Sequence, residues 1–340
     1  MPYFKSKRFQ CVRLQQTLVL NLESCSLSPT GLRGDIGLFT IYGSHPCLSS
    51  TFFACRMDAL PPELIDSVLE HLSQAQRAQA SAVSRRWHSV INPRLYHAPD
   101  ITTLKQLDQL VGNDLSSCRS LISILDLSKV REHVTDKHIA AFSQYPLYSL
   151  NLSKCHHISA SALNQLLQTS IQTLQTALLN HCRLDTESLE LLRQANLIRL
   201  DLSGTMLLPC HAIDTPHHLE TLMDPARSQL RVLHVAGCNW VDSITVTNIA
   251  QGFPRLTHLS LFWCDQIKVA SCLETLLLRL PDLRYLDLQH VPAIPDAQQD
   301  QQQQEWKEID LHELIRSHPH LQCIEYTHRR RKATIKRKDA

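Results

Sequence analysis

The chain has 340 residues, which allows about two domains or one elongated array. Its formal net charge is only +2, which argues against a protein whose whole surface binds nucleic acid. The charge is uneven, because residues 1–56 carry +4 and residues 329–340 carry +6, leaving −8 between them. The eight glycines never fall in a GxGxxG, GxxxxGK or GxSxG motif, which argues against dinucleotide, P-loop and nucleophile-elbow sites.

No apolar run approaches the ~18–20 residues that cross a bilayer. The basic residues near the N-terminus are followed by Leu18-Val19-Leu20, whereas a signal peptide needs about 7–15 consecutive apolar residues there. We therefore expect no membrane association, no secretion, and a cytoplasmic and/or nuclear localisation.

The twelve cysteines include no CxxC pair, which favours reduced thiols over a zinc finger or a disulfide scaffold. Histidine is abundant, and Cys155-His156-His157 is a tempting run for a metal. Adjacent side chains point in different directions, however, so such a run rarely converges on one ion. No nucleophile, base and orienting group occur together in a known motif. We expect no metal, no cofactor and no catalytic residue.

The first predicted element in chain order is an extension, residues 1–56, which shows neither an amphipathic period nor a repeat. We expect it to be disordered, or to precede a start at Met57. No function is assigned to it.

A short helical module follows, from residue 57 to residue 97. Leu60–Leu72 is predicted to be a helix, because Pro61 and Pro62 suit a first turn that needs no backbone donors. Its apolar residues form an unusually wide stripe of Leu64, Ile65, Val68, Leu69 and Leu72. An alanine-rich helix capped by Ser73 and a third helical segment opening at Ser84 complete the module. About forty residues are marginal for independent folding, so the module needs a partner or a neighbour.

Residues 98–120 are predicted to hold a linker helix. From residue 121 to residue 328 the sequence is repetitive. The register LxxLxLxxC occurs in full at Leu147–Cys155 and Leu256–Cys264, and with valine at the third apolar position at Leu230–Cys238. Five weaker copies start at Ile122, Leu174, Leu197, Leu283 and Leu321. Most of these starts are spaced by the 20–29 residues typical of leucine-rich repeats.

The register combines two periods. In Leu-x-Leu both leucines point to one side of a strand, and the downstream apolar residues have helical spacing. We therefore predict an α/β fold, a leucine-rich-repeat solenoid of about eight repeats with a parallel inner sheet and outer helices. The cysteine of each register is predicted to be a buried turn residue. Two insertions interrupt the array, at residues 206–229 and 292–305.

The chain ends in a basic tail, residues 329–340. It is interpreted as a nuclear address or, alternatively, as a solvated terminus that keeps the last repeat soluble. Nucleic-acid binding by this tail is a weaker alternative.

The helical module resembles the F-box, whose pattern begins with Leu-Pro-x-Glu-Leu, continues with Ile/Val-Leu-x-x-Leu and ends in Val-x-Arg-Arg-Trp. Together with the cysteine-containing repeats, it is similar to the F-box/leucine-rich-repeat family, the substrate receptors of SCF-type ubiquitin ligases. The resemblance implies a non-catalytic subunit whose F-box binds the Skp adaptor, and through it the cullin and RING subunits, while the repeats bind a protein substrate. The implied adaptor-facing residues are Leu60, Pro61, Pro62, Leu64, Ile65, Val68, Leu69, Leu72, Val83 and Trp87. The chain departs from the pattern at Arg77, Ala78 and Ala80, where the family usually has leucine.

Two alternatives accompany this hypothesis. The module could be a helical cap on the array, since solenoids need polar caps. The whole chain could also be a protein-binding scaffold of the same shape that acts without ubiquitin transfer.

The substrate surface is predicted on the inner sheet, where the residues flanking the central leucines point away from the core. In the fifth to seventh repeats these include aromatic and polar side chains, the usual composition of a binding hot spot. The candidate residues are His234, His258, Phe262, Tyr285 and Asp287. Arg199 is the one basic residue across the predicted rows, which argues against recognition of a phosphorylated motif.

Overall fold

A computed structural model describes residues 61–112, 119–207, 228–267, 269–291, 315–328 and 331–337. The extension 1–56, Leu60 and the insertion 292–305 lie outside these residues, as does most of the insertion 206–229. The chain divides into two compact units. Of the described residues, the helical unit comprises 61–100, 108–112 and 119–121, and the sheet unit comprises Ile101–Leu107 and those from Ile122 onward.

The helical unit begins with α1 (Pro62–Glu70), α2 (Gln74–Ser81) and α3 (Arg85–His97), and α4 (Leu104–Val111) follows within the predicted linker. The side chain of Ser73 accepts from the Gln76 N–H while Gln76 Oε1 accepts from the Ser73 N–H, which closes a capping box on α2. Ser84 caps α3 through the Trp87 N–H. Both α1 and α2 contact α3, which holds the first three helices together.

The sheet unit is built on a nine-stranded sheet in the described residues. In chain order the strands are β1 (Ile124–Asp126), β2 (Ser149–Asn151), β3 (Thr176–Leu178), β4 (Arg183–Leu184), β5 (Arg199–Asp201), β6 (Met206–Leu207), β7 (Val232–His234), β8 (His258–Ser260), β9 (Tyr285–Leu288), β10 (Cys323–His328) and β11 (Arg331–Lys336). The large sheet has the order β1-β2-β3-β5-β7-β8-β9-β10-β11, and β4 pairs separately with β6. All pairs are parallel except β10 with β11.

Each of the eight LxxLxL segments contributes one parallel strand, which confirms the predicted sheet. Their central apolar residues lie in register across the strands, and each is at most 1 % exposed: Leu125, Leu150, Ala177, Leu200, Leu233, Leu259, Leu286 and Ile324. The strand period of two therefore separates one fully buried row from the outward-facing residues beside it.

Helical segments connect the strands: a 3₁₀ segment (Ser128–His133), α5 (Asp136–Ala140), α6 (Ala160–Ser170), α7 (Thr186–Gln194), α8 (Ser243–Gly252) and α9 (Val269–Arg279). Ser159, Asp185 and Asp242 start α6, α7 and α8 with a side-chain cap. Neighbouring helices contact each other in the pairs α5–α6, α6–α7 and α8–α9. No helix among the described residues is long and apolar enough to cross a membrane.

The turns after the strands form a continuous ladder. In six of them the residue two positions after the last apolar residue of the segment has a positive φ of 56–64°: Lys154, His181, Gly204, Gly237, Trp263 and His290. The first five of these residues donate their N–H to a carbonyl in the next turn, for example Lys154 to Asn180 at 2.8 Å. The ladder fixes the turns as one edge of the sheet unit, which we call the turn row.

The register cysteines are buried, as predicted. Cys155, Cys182, Cys238 and Cys264 are at most 4 % exposed. The Sγ atoms of the last three donate to a carbonyl of the preceding turn, at 3.1–3.2 Å. These thiols therefore fill the core and satisfy buried backbone acceptors at the same time.

Within residues 329–340, predicted as a basic tail, Arg331–Lys336 form β11 on the edge of β10, so this part is a paired strand and not a solvated terminus. The nuclear address stays a prediction. Ile335 is 6 % exposed and in register with Ile324. Arg337 donates to the carbonyls of Ile315, His318 and Pro319 at 2.6–2.7 Å. Alternation brings one apolar side chain to the core while the lysines stay in water, which is how edge strands avoid aggregation.

Candidate functional site

The helical unit presents part of the predicted adaptor surface. Leu64, Val68 and Val83 are 41–51 % exposed, Pro61 is exposed and Leu72 is half-buried. Leu64 and Val68 are four residues apart and therefore lie on one face of α1. Exposed large apolar side chains this close together are typical of an interaction surface.

Three predicted contact residues need correction. Ile65, Leu69 and Trp87 are at most 2 % exposed, so they cannot contact a partner in this conformation. One step along a helix turns the side chain by 100°, which sends Ile65 and Leu69 inward while Leu64 and Val68 face outward. The wide apolar stripe thus contains both an internal face and an external face. The side chain of Pro62 and all of Leu60 lie outside what the structure describes.

The departure at Arg77 has a structural role. Its Nε donates to the Leu69 carbonyl at 3.0 Å, in the last turn of α1. The same carbonyl also accepts from the Leu72 N–H at 3.2 Å, so Arg77 adds a second donor at the C-terminal end of α1, where a basic side chain interacts favourably with the helix dipole. Arg77 therefore joins α2 to α1, rather than being only a missing leucine in the adaptor surface.

The five predicted substrate-binding residues come from neighbouring strands or the turn beside them. His258 of β8 is in register with Tyr285 of β9, and their rings stack with centroids 5.9 Å apart. His234 of β7 is in register with Ser260, and Ser260 is in register with Asp287. Phe262 follows two residues after β8. The structure thus places four of these residues on the adjacent strands β7, β8 and β9 and Phe262 in the turn after β8.

The electrostatics of this patch favour neutral histidines. Burial lowers the pKa of His234 against the opposing effects of Asp201 and Asp287. Burial, with the nearby His234 and Arg284, also lowers the pKa of His258. Burial raises the pKa of Tyr285, with Asp287 adding to the effect. At neutral pH the patch therefore presents uncharged, hydrogen-bonding rings.

Asp287 is mainly a positioning residue and not a surface contact. It is 8 % exposed, and Oδ1 accepts from the N–H and Nε2 of Gln289 at 3.0–3.1 Å. Its Oδ2 accepts from Ser260 Oγ at 3.1 Å. Gln289 Nε2 also donates to Glu325, which accepts from Lys332 at 2.7 Å. These bonds fix the backbone under the aromatic rings.

The same face carries more positive charge than the sequence rows predicted. Lys336 is in register with Cys323, and Lys332 with Thr327, so both point to the side of the sheet that carries Tyr285 and Glu325. Both lysines are exposed. Arg199 is therefore not the one basic residue on this surface, because β11 adds two more.

Two aromatic residues beside Phe262 were not among the sequence candidates. Trp263 is 59 % exposed, and its ring lies 5.1 Å from that of the exposed His290. The Phe262 ring lies 5.4 Å from His290 and 6.0 Å from Trp263. The sequence contains a signal for these two residues. The two preceding segments have glycine, Gly204 and Gly237, at the same turn position, so an aromatic residue there is unexpected.

In the part of the chain that the structure describes, no three His, Cys, Asp or Glu residues are grouped to hold an ion. Burial raises the pKa of Cys155, Cys182 and Cys264 to about 12, so these thiols are protonated at neutral pH. The features present are exposed apolar and aromatic surfaces, which suit binding.

Comparisons with known proteins bear on the helical unit. No curated protein matches the chain. One solved structure that it matches is described as "Crystal structure of Rad7 and Elc1 complex in yeast", with a TM-score of 0.39 and 14 % identity over 83 % of this chain and 94 % of that chain. A family model described as F-box-like matches residues 57–102, close to the predicted 57–97. The N-terminal helices of this chain form an F-box-like domain.

Proposed function

We propose that this chain is the substrate-recognition subunit of an SCF-type ubiquitin-protein ligase. The F-box-like domain would bind a Skp adaptor, and the parallel-sheet array, a leucine-rich-repeat solenoid, would bind the substrate. The observation that carries the proposal is the F-box-like match at 57–102, together with the exposed Leu64, Val68 and Val83 in that segment.

The mechanism is proximity. A receptor that holds a substrate beside a charged conjugating enzyme raises the effective concentration of the substrate lysine. The chain then needs two separate binding surfaces and no reacting group. The aromatic patch around His258, Phe262 and Tyr285 supports the second surface, because buried aromatic anchors dominate protein interfaces. We propose that it works in the cytoplasm, the nucleus or both.

A scaffold that binds proteins without ubiquitin transfer is the second candidate. It is favoured by the composition of α2, whose sequence QAQRAQAS offers no large apolar side chain to an adaptor. Reconstitution with adaptor, cullin and RING subunits separates the two, since a scaffold would not promote ubiquitin transfer to a bound protein.

The adaptor surface is tested with the double variant Leu64→Glu/Val68→Glu in the full chain. Burying unpaired charge in an apolar interface costs about 3–5 kcal/mol, or roughly 10²–10⁴-fold in affinity. We expect co-purification with the Skp adaptor to be lost. The matched control Gln79→Glu/Ser89→Glu places the same charges at exposed polar positions of α2 and α3 and is expected to retain the adaptor. Unchanged adaptor binding in the first variant, with the chain folded, would contradict the proposal.

A further inference from the structure

The turn row changes character along its length. Its first two residues, Lys154 and His181, are exposed, and the exposed His156 and Arg183 follow them two positions later. Of the nearby acidic side chains, Glu132 pairs with Arg131 at 3.2 Å, and Asp185 caps α7 as a carboxylate, which offsets one of the two basic charges of Lys154 and Arg183. Lys154 and Arg183 therefore leave this end of the row positively charged.

The middle of the row holds two glycines, of which Gly237 has open backbone. A Cβ on Gly237 would meet no atom within 4 Å, so the backbone is open to a ligand there. A Cβ on Gly204 would lie 2.4 Å from the His181 ring, so the imidazole already covers that position. Met206 is 69 % exposed and in register with Arg183 through the β4–β6 pair. One exposed apolar side chain thus lies directly beside the charged end.

The far end of the row is aromatic. Trp263 and His290 take the left-handed conformation, which L side chains with a Cβ disfavour and which Gly204 and Gly237 adopt freely. Trp263 nevertheless keeps most of its surface in water. Lys154 and His181 share this conformation, and what distinguishes Trp263 is its large ring. Strained residues cluster at binding sites, and here the strained residue presents an apolar ring to the surroundings.

From these three observations we infer that the turn row binds an extended protein segment with acidic residues at one end and an apolar or aromatic residue at the other. The acidic residues lie on Lys154, His181 and Arg183, and the apolar residue lies between Gly237 and Trp263. This deepens the proposed function and rests on it in one respect: the segment belongs to a substrate.

The strand spacing sets the length of the segment. From the turn of β3 to that of β8 there are three strand steps, about 14 Å, and from β2 there are four, about 19 Å. An extended chain advances about 3.3 Å per residue, so about four to six residues separate the two ends. Nucleic acid fits less well, because the aromatic end carries the exposed Asp265 beside Trp263 and would repel phosphate.

The experiment is selection of a random twelve-residue peptide display library on the immobilised full chain. We expect enriched peptides to carry two or more acidic residues about four to six positions from an apolar or aromatic residue. No enrichment, or enrichment without acidic residues, overturns the inference. Binding of a labelled single-stranded oligonucleotide with the same dependence on Lys154 and Arg183 also overturns it.

Variants then locate the selected peptide. Lys154→Glu/Arg183→Glu is expected to weaken binding at least tenfold, while Lys105→Glu/Arg279→Glu, at exposed positions on α4 and α9, leaves it unchanged. Trp263→Gly removes the ring and relieves the backbone, so we expect a tenfold loss of binding with an unchanged or raised Tm. A lowered Tm with unchanged binding shows that the ring is structural and overturns its role.

Adaptor co-purification with the same variants keeps this inference separate from the proposed function. We expect each variant to retain the adaptor. If the adaptor fails to bind even the unsubstituted chain while the peptide binds as expected, the proposed function fails and the peptide site stands.

Discussion

At the scale of single residues, the turn cysteines show how a thiol stabilises a buried turn. Cys238 Sγ donates to the Leu202 carbonyl at 3.1 Å, and the equivalent position in the preceding segment holds Thr205, whose Oγ1 donates to the same carbonyl at 2.7 Å. The position therefore selects a small side chain with a donor. Sequence periodicity predicts the burial, but the hydrogen bond depends on turn geometry that a spacing pattern does not contain.

The ionisation of Cys238 makes a testable contribution to stability. Burial raises its pKa from 9.0 to about 11. As the pH rises, the thiol ionises at a lower pH in the unfolded chain than in the folded one. The contribution of the protonated Cys238 thiol to the free energy of unfolding is therefore complete below pH 9 and is lost as the pH rises toward 11. We expect Cys238→Ala to lower the free energy of unfolding by about 1–3 kcal/mol at pH 7 through lost packing and an unpaired carbonyl. Denaturant titrations at pH 7 and above pH 9 measure both effects; an equal loss at every pH would show that ionisation of Cys238 contributes nothing.

At the scale of elements, eight of the nine strands of the large sheet follow from the LxxLxL register, because alternation places two leucines on one side. β11 could not be predicted in this way. Its sequence, RKATIK, has a single large apolar residue, Ile335, among basic ones, and this composition indicates a solvated tail. The pairing is decided by the open edge of β10, which is a tertiary effect. Similarly, the wide stripe on α1 indicated apolar contact but did not separate its inner face from its outer face.

The contribution of β11 to stability is tested with the variant Ile335→Asp. The substitution buries an unpaired carboxylate and should detach β11, which leaves the β10 edge unpaired. We expect a loss of about 3 kcal/mol or more in the free energy of unfolding, with concentration-dependent association. Thr334→Asn, on the exposed side of the same strand, is the control and should change stability by less than about 0.5 kcal/mol. Thermal unfolding measures the change in stability, and light scattering measures the association. A monomeric Ile335→Asp chain as stable as the unsubstituted chain would show that the edge of β10 does not need to be paired with β11.

At the scale of the whole molecule, each strand of the sheet unit bonds only to its neighbours in chain order, apart from the intervening β4 and β6. Stability should therefore be local along the array. Leu233→Ala removes a fully buried side chain from β7, with an expected cost of about 2–5 kcal/mol. Hydrogen exchange should rise in β5, β7 and β8 and stay unchanged in β1, and Leu125→Ala should show the reverse. Uniform loss of protection would instead reveal a single cooperative sheet.

The antiparallel pair at the end of the sheet has a consequence for synthesis on the ribosome. The chain emerges in the order of its strands, and the last residue of β11, Lys336, follows Leu288 of β9 by 48 positions. At about 5–20 residues per second, first the edge of β9 and then the edge of β10 stays open, for about 2–10 s in all, before β11 is complete. During that interval the nascent protein presents a row of unpaired backbone groups to its surroundings. Translation speed over residues 289–336, and chaperones near the exit tunnel, therefore become determinants of how much chain reaches its folded state.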